Sequence, residues 1–288
     1  ANPANNKLSK PQALGGPEIP LKVGQDPRVK LAEWITTPDN PFFARSFANR
    51  VWAHYFGIGV VNPVDDFSLA NPPTNARLLN ALSKEFIASG YDLRNLERLI
   101  LLSRTYQLDH ATNATNKFDK NNFSHSYVRP MMAEQVIDVL NSALGVDEEF
   151  NTNDKIPSGT RVVEVGTNRL NGDLAYALRI FGRPPRTSAC DCERAMEPAL
   201  PQTLFRMTDQ AIMKKFIKQD CRALKLAKSK LNTDELIEEL FLATLTRFPR
   251  ADEKTDALKY LASAKNKTEA VTDVLWALVN TREFILNH

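Results

Sequence analysis

Residues 37–59, "TPDNPFFARSFANRVWAHYFGIG", carry the pattern from which the fold class is read. Asn40 can cap a helix, and Pro41 suits its first turn, where a missing N–H costs nothing. Phe43, Phe47, Val51 and Tyr55 recur every four residues and predict a core-facing stripe, with Gly57 as the natural stop. The opposite face is then expected to carry Arg45, Asn49, Arg50 and His54.

The same helical period continues on both sides. Leu31, Trp34 and Ile35 predict a short helix ended by Pro38. Thr74 or Asn75 starts "ARLLNALSKEFIASG", and Asp92 starts "LRNLERLILLSRTYQL", whose stripe is Leu93, Leu96, Leu99, Ile100 and Ser103. The short link between them predicts an antiparallel helix pair. Residues 109–127 are rich in Asn, Thr, Lys and Asp and read as a surface loop. Pro130 opens "MMAEQVIDVLNSALG", stopped by Gly145.

From 146 to 200 the period fades, apart from a turn at "DLAYALRIF"; "TRVVEV" is strand-like but has no partner to pair with. Pro201 then begins one long helical run whose stripe is Met213, Ile217, Cys221 and Leu224. Asn232 with Glu235 reads as a capping box ahead of "LIEELFLATLTRF", the first of three closing helices. The expected class is therefore all-α, multi-helical, with a long irregular insert. The expected division is a linker or extended arm at 1–20, an N-terminal helical part at 21–145, an irregular insert with the C-x-C loop at 146–200, and a C-terminal helical part at 201–288. Residues 21–288 are expected to form one compact unit.

At 288 residues, 25 % charged and 43 % hydrophobic, the chain has globular composition, and a net charge of +3 gives no whole-molecule field for nucleic acid. No stretch approaches the roughly 18 consecutive apolar residues of a membrane span. The opening "ANPANNKLSKPQALGGPEIP" lacks an initiating Met and a basic region leading into an apolar one, so it is not an intact signal peptide, and a processed piece of a longer protein is expected.

The densest chemistry is "FGRPPRTSACDCER", 181–194. Cys190 and Cys192 offer two thiolates, but a tetrahedral metal site needs two more donors, and His54, His110, His125 and His288 are all remote in sequence. A C-x-C disulfide would close a strained ring with an oxidising potential, which suits a redox role. Buried packing thiols or a structural bridge are the plainer alternative. Cys221, on its apolar stripe, reads as core, with a long-range bridge to the C-x-C pair left open. Arg183, Arg186 and Arg194, alternating with Asp191 and Glu193, would lower a nearby thiol pKa or clamp an irregular corner.

Two further polar clusters stand out. Asn49, Arg50 and His54 precede Asp65 and Asp66, so a His with a carboxylate could serve as an acid–base pair or a ligand set, but structural clamping is the favoured reading. Glu134 and Asp138 lie four apart on one helix face, a spacing that demands something positive opposite them; Arg129 is the nearest base in sequence. The segment Arg206–Lys230 holds eight basic and two acidic residues. Its aromatics lie on the apolar stripe and not among the charges, which argues against nucleic acid and for a solvated face or an acidic partner.

Four of these stretches, "LAEWITTPDNPFFARSFANRVWAHYFGIGVVNPVDDF", "RTYQL", "FGRPPRTSACDCER" and "DVLWALVNTREFILNH", occur together and in order, and the chain resembles the planctomycete-type domain of unknown function 1553 from about Gly15 to His288. The resemblance implies the C-terminal module of a large exported, extracytoplasmic (periplasmic or cell-surface) protein, often accompanied by a c-type cytochrome-like domain. It implies no established activity. The chain has no C-x-x-C-H, so haem is expected in a partner domain and no cofactor here. Three functions follow as expectations. The leading one is an accessory module contacting other domains of its parent or associated subunits, with oligomerisation left open and catalysis not required. The second is a redox or metal-assisted enzyme on an extracellular substrate such as a polysaccharide, using the C-x-C loop. The third is a carbohydrate-binding module stacking sugars on Trp34, Trp52 or Tyr91.

Overall fold

The computed structural model describes residues 11–16, 18–20, 24–150, 156–165, 170, 172–183 and 200–287. Among them are thirteen α-helices and one two-stranded antiparallel ladder, so the chain is all-α and multi-helical. It divides into two compact units, one ending at Tyr127 and the other running from Val128 to Asn287.

The first unit holds α1 (Pro27–Ile35), α2 (Phe43–Phe56), α3 (Ala76–Ala88) and α4 (Leu93–Leu101). Local chemistry places their starts: the side chains of Asp26, Asn75 and Asp92 accept backbone N–H groups in the first turns of α1, α3 and α4. Asn40 does the same at α2, accepting from Phe42 and Phe43, and Gly57 closes that helix in the left-handed conformation at φ 81°.

The buried arc of α2 is rotated from the predicted stripe. Ala44, Ala48, Trp52 and Phe56 are the fully buried apolar residues, while Phe43, Phe47, Val51 and Tyr55 flank them half-buried. α2 packs against α3, and Ala44 and Ala48 are buried small side chains of a kind that permits close helix approach. Aromatic rings pack with them, Phe47 stacked on Phe86 at 4.9 Å and Trp52 on Phe56 at 4.1 Å.

The 109–127 segment is not simply a surface loop. The Asp119 carboxylate accepts the backbone N–H groups of Asn121, Asn122 and Ser124 and the Ser124 hydroxyl, folding the chain back on itself. That fold presents Phe123 to the core at 5 % exposure, edge-on to Trp52 at 5.1 Å.

The second unit is built around α5 (Ala133–Leu144), eight of whose residues are buried, including Glu134 and Asn141. Around it stand α6 (Gly172–Ile180), α7 (Leu200–Thr208), α8 (Gln210–Phe216), α9 (Arg222–Ala227), α10 (Thr233–Leu245), α11 (Ala251–Ser263), α12 (Lys267–Val279) and the short α13 (Arg282–Ile285). The core joins α5 to α10 and α12 through Ile137, Leu140, Leu236, Ile237, Leu240 and Leu275. "TRVVEV" forms a 3-10 turn over Val162–Glu164. The ladder pairs β1 (Arg129–Pro130) with β2 (Leu286–Asn287), with Arg129 opposite Asn287.

The single helical run predicted from Pro201 is three helices. Asp209 breaks it by accepting the Ala211 N–H, a local bond that competes with helix continuation, and a second break falls between Phe216 and Cys221. In consequence Ile217, expected in the core, is 71 % exposed. The Asn232–Glu235 capping box forms as predicted, each side chain accepting the other's backbone N–H at 2.9 and 3.0 Å.

Candidate functional site

Asn49 was expected on the polar face of α2, and it is completely buried. Its amide donates to the carbonyls of Val61 and Val64 at 2.9 and 2.8 Å and accepts the Val61 N–H at 2.9 Å. The side chain thus substitutes for secondary structure in an irregular segment, satisfying buried backbone groups that have no ladder. Gly59 permits the approach, since a Cβ there would lie 2.2 Å from the Val61 oxygen and 2.8 Å from the Asn49 amide nitrogen. Next to it in sequence, Arg50 grips Asp65 with two parallel bonds of 2.7 and 2.8 Å. His54 is exposed, its ring edge-on to Tyr55 at 5.1 Å. Of the two carboxylates that follow in sequence, Asp65 is thus held by an arginine, and Asp66 accepts the Ser68 N–H at 3.2 Å.

In the second unit the two acids of α5 take separate partners. Glu134 lies 3.2 Å from Arg183, both side chains about a tenth exposed. Asp138 accepts the N–H groups of Val162 and Val163 at 2.6 and 3.1 Å, capping the 3-10 turn. The i, i+4 repulsion that the sequence poses is resolved by one guanidinium and one helix-like N-terminus. Arg129 sits in the ladder. Cys221 is a free thiol, wholly buried, donating to the Phe216 carbonyl at 3.1 Å, so the long-range bridge from Cys221 is not formed. Cys190, Cys192, Arg186, Glu193 and Arg194 lie outside the described residues.

One charged cluster had no motif to announce it. Lys215 donates to Glu148 at 2.6 Å and to Asn141 at 2.7 Å, and Asn141 returns its amide to Glu148 at 2.8 Å. Beside this triad Lys218 pairs with Glu149 at 2.7 Å, which holds that carboxyl below its ordinary pKa and raises the lysine. Glu148, Glu149, Lys215 and Lys218 line a cleft of about 590 Å³ together with Asp173 and Lys214. The only sequence signal was complementarity between the acidic "DEE" at 147–149 and the basic run that begins at Lys214.

Arg206 is a buried cation, 3 % exposed, that donates to the Val279 carbonyl at 2.8 Å at the end of α12. Desolvation lowers its pKa, and its position at a helix C-terminus offsets part of that cost. The aromatic triad proposed for sugar stacking does not form a platform. Trp52 is 3 % exposed in the core, and Tyr91 packs on Phe43 and Phe86 while its hydroxyl donates to the Thr36 carbonyl at 2.9 Å.

An open apolar groove of about 630 Å³ lies where α8 and α12 diverge, lined by Met207, Met213, Phe216, Ile217 and Trp276 with Lys214 at its edge. Among the described residues no group of three or more His, Cys, Asp or Glu is arranged to hold a metal ion, and no helix is long and apolar enough to cross a membrane.

The fold and these clusters define a helical protein in which charged side chains serve as internal clamps. A family model, PSD1, protein of unknown function (DUF1553), matches residues 27–261, and the chain belongs to that family. No curated protein and no solved structure matches it.

Proposed function

We propose that this chain is an accessory, non-catalytic interaction module of a larger exported bacterial protein, contacting other domains of its parent, such as a c-type cytochrome-like domain that would hold the haem. The observation that carries this reading is the commitment of the candidate polar groups. Asn49, Arg50, Glu134, Asp138 and Arg183 are each bound to backbone or to an opposite charge within the fold. A catalytic acid, base or nucleophile needs a partner poised toward substrate, and these point to one another instead. The open apolar groove supplies what an interaction module requires.

The test is to produce this chain and the remaining domains of its parent as separate polypeptides and mix them. Association seen by sedimentation velocity, with the haem absorbance co-migrating and the chain itself colourless, is the expected result. Independent sedimentation of the two polypeptides would remove the reading, and so would recovery of the intact parent from the cytoplasm on cell fractionation.

A further inference from the structure

We infer that the charged cleft lined by the 147–150 segment, the first turn of α6 and α8 binds a linear alkyl diammonium or polyammonium ion. Such binding holds whether or not the chain is an interaction module, since it depends on the cleft's own charges.

Glu148 supplies the directed contact. Its side chain is 10 % exposed, and one oxygen, Oε2, accepts both the Lys215 ammonium at 2.6 Å and the Asn141 amide at 2.8 Å. The other oxygen, Oε1, accepts no bond from any described residue and is not sealed in the interior, so on a residue that lines the cleft it is a fixed acceptor with open capacity. An ionised carboxylate can only accept, and a cationic donor gives it the stronger bond. Lys215 and Asn141 hold the group in place before a ligand arrives, which spares binding the cost of ordering it.

Charge makes the favoured donor cationic. Among the described residues, the carboxylates of Asp147, Glu148, Glu149 and Asp173 line the cleft against the ammonium groups of Lys214, Lys215 and Lys218. Lys215 neutralises Glu148, and Lys218 neutralises Glu149. Asp147 accepts the Ser158 hydroxyl at 2.6 Å, a bond that leaves its charge in place, and the Asp173 carboxylate has no hydrogen bond or ion pair among the described residues. Lys214 is exposed and also borders the α8–α12 groove, so it stands on the rim. Two uncompensated carboxylates thus outweigh one rim ammonium, and an anionic ligand is repelled. One end of a diammonium ion meets Glu148 Oε1 and the other meets Asp173, with Asp147 adding to the field. Phe150 and Leu174, both partly buried, give the methylenes between them an apolar wall.

The probe is putrescine, titrated into the full chain by isothermal titration calorimetry beside n-butylamine, butanediol and succinate. Putrescine is expected to bind at least ~tenfold more tightly than n-butylamine, which lacks the second cation, and to weaken as salt rises. Butanediol and succinate should not bind. Asp173→Asn, at an exposed position, should cut putrescine affinity ~threefold or more, toward that of n-butylamine. Glu148→Gln should weaken both amines ~tenfold, because the charge-assisted acceptor is lost. Lys214→Ala should tighten putrescine binding, since a like charge leaves the rim. Circular dichroism checks the fold of each variant, and if Glu148→Gln is misfolded the two exposed positions decide. Absence of putrescine binding, equal binding of butanediol, indifference to Asp173→Asn, or weaker binding to the Lys214→Ala variant would overturn the inference. So would succinate binding that Lys214→Ala abolishes, since the cleft would then be an anion site.

Discussion

Glu134 and Arg183 face each other at 3.2 Å with about a tenth of each side chain exposed, joining the first turn of α5 to the residue three beyond α6. A pair this buried gains a strong mutual attraction and has lost most of its hydration. Removing one partner takes a buried counter-charge from the other. Glu134→Ala is expected to lower unfolding free energy by about 3 kcal/mol, whereas the double change Glu134→Leu with Arg183→Met should recover much of that loss. Urea denaturation of the single and double variants measures both. A double variant no more stable than the single one would show that the pair is needed for more than mutual neutralisation.

Asn49 and Arg50 are sequence neighbours with very different expected weights. Asn49 serves two buried backbone groups and one part-buried one, so Asn49→Ala should cost about 2–3 kcal/mol. The Arg50–Asp65 pair is 55 % exposed on each side, and Arg50→Ala should cost less than about 1 kcal/mol. Thermal unfolding of the two variants separates them, and an equal effect would contradict the burial argument.

Acid should weaken the C-terminal helices through Arg247. Its guanidinium grips Glu253 at 2.7 and 2.8 Å and Glu283 at 2.6 and 2.8 Å, and the bonds from Arg247 hold the Glu253 carboxyl down at about 2 against an ordinary 4.5. A carboxyl whose folded pKa is depressed stabilises the fold fully above its unfolded value, and that stability is lost as pH falls through the folded one. Wild type should therefore exceed Glu253→Gln by on the order of 2 kcal/mol at neutral pH, with partial solvent screening included. The gap should close between about pH 4.5 and 2. Denaturation of both proteins across that range tests it, and a gap independent of pH would assign the effect to packing.

Cys221 should be silent in the folded protein. Its sulfur is inaccessible and bonded to the Phe216 carbonyl, so a thiol reagent is expected to label none of it in a Cys190→Ser, Cys192→Ser variant until denaturant is added, and then one thiol per chain. Rapid labelling under native conditions would contradict its place in the core.

The helices were legible because their punctuation is local. Asn75, Asp92, Asn232 and Gly57 each act within a few residues, and each sits where the sequence puts it. The rotation of α2 was not legible, because bulky aromatics dominate a hydrophobic count while the buried arc includes Ala44 and Ala48, whose value lies in being small. Likewise Asn49 looks polar in a list, and only the ladderless Val61–Val64 segment explains its burial. The clamps made by Glu134 and Glu148 depend on partners 49 and 67 residues away, distances over which periodicity says nothing. The C-x-C loop, the densest motif in the sequence, lies outside the described residues and contributes to the family signature alone.

The small ladder has a mechanical meaning. Arg129 pairs with Asn287 and Pro130 with Leu286, and Met131 adds a bond to Ile285, so the entry and exit of the second unit run side by side and emerge at the same end of the clasp. Tension transmitted along the polypeptide would load these bonds one after another, as in a zipper pulled open, and not all together in shear. The helical bundle behind them would feel no force until the clasp had parted. A module anchored in this way can be tugged through both of its tails while the packing around α5 stays at rest.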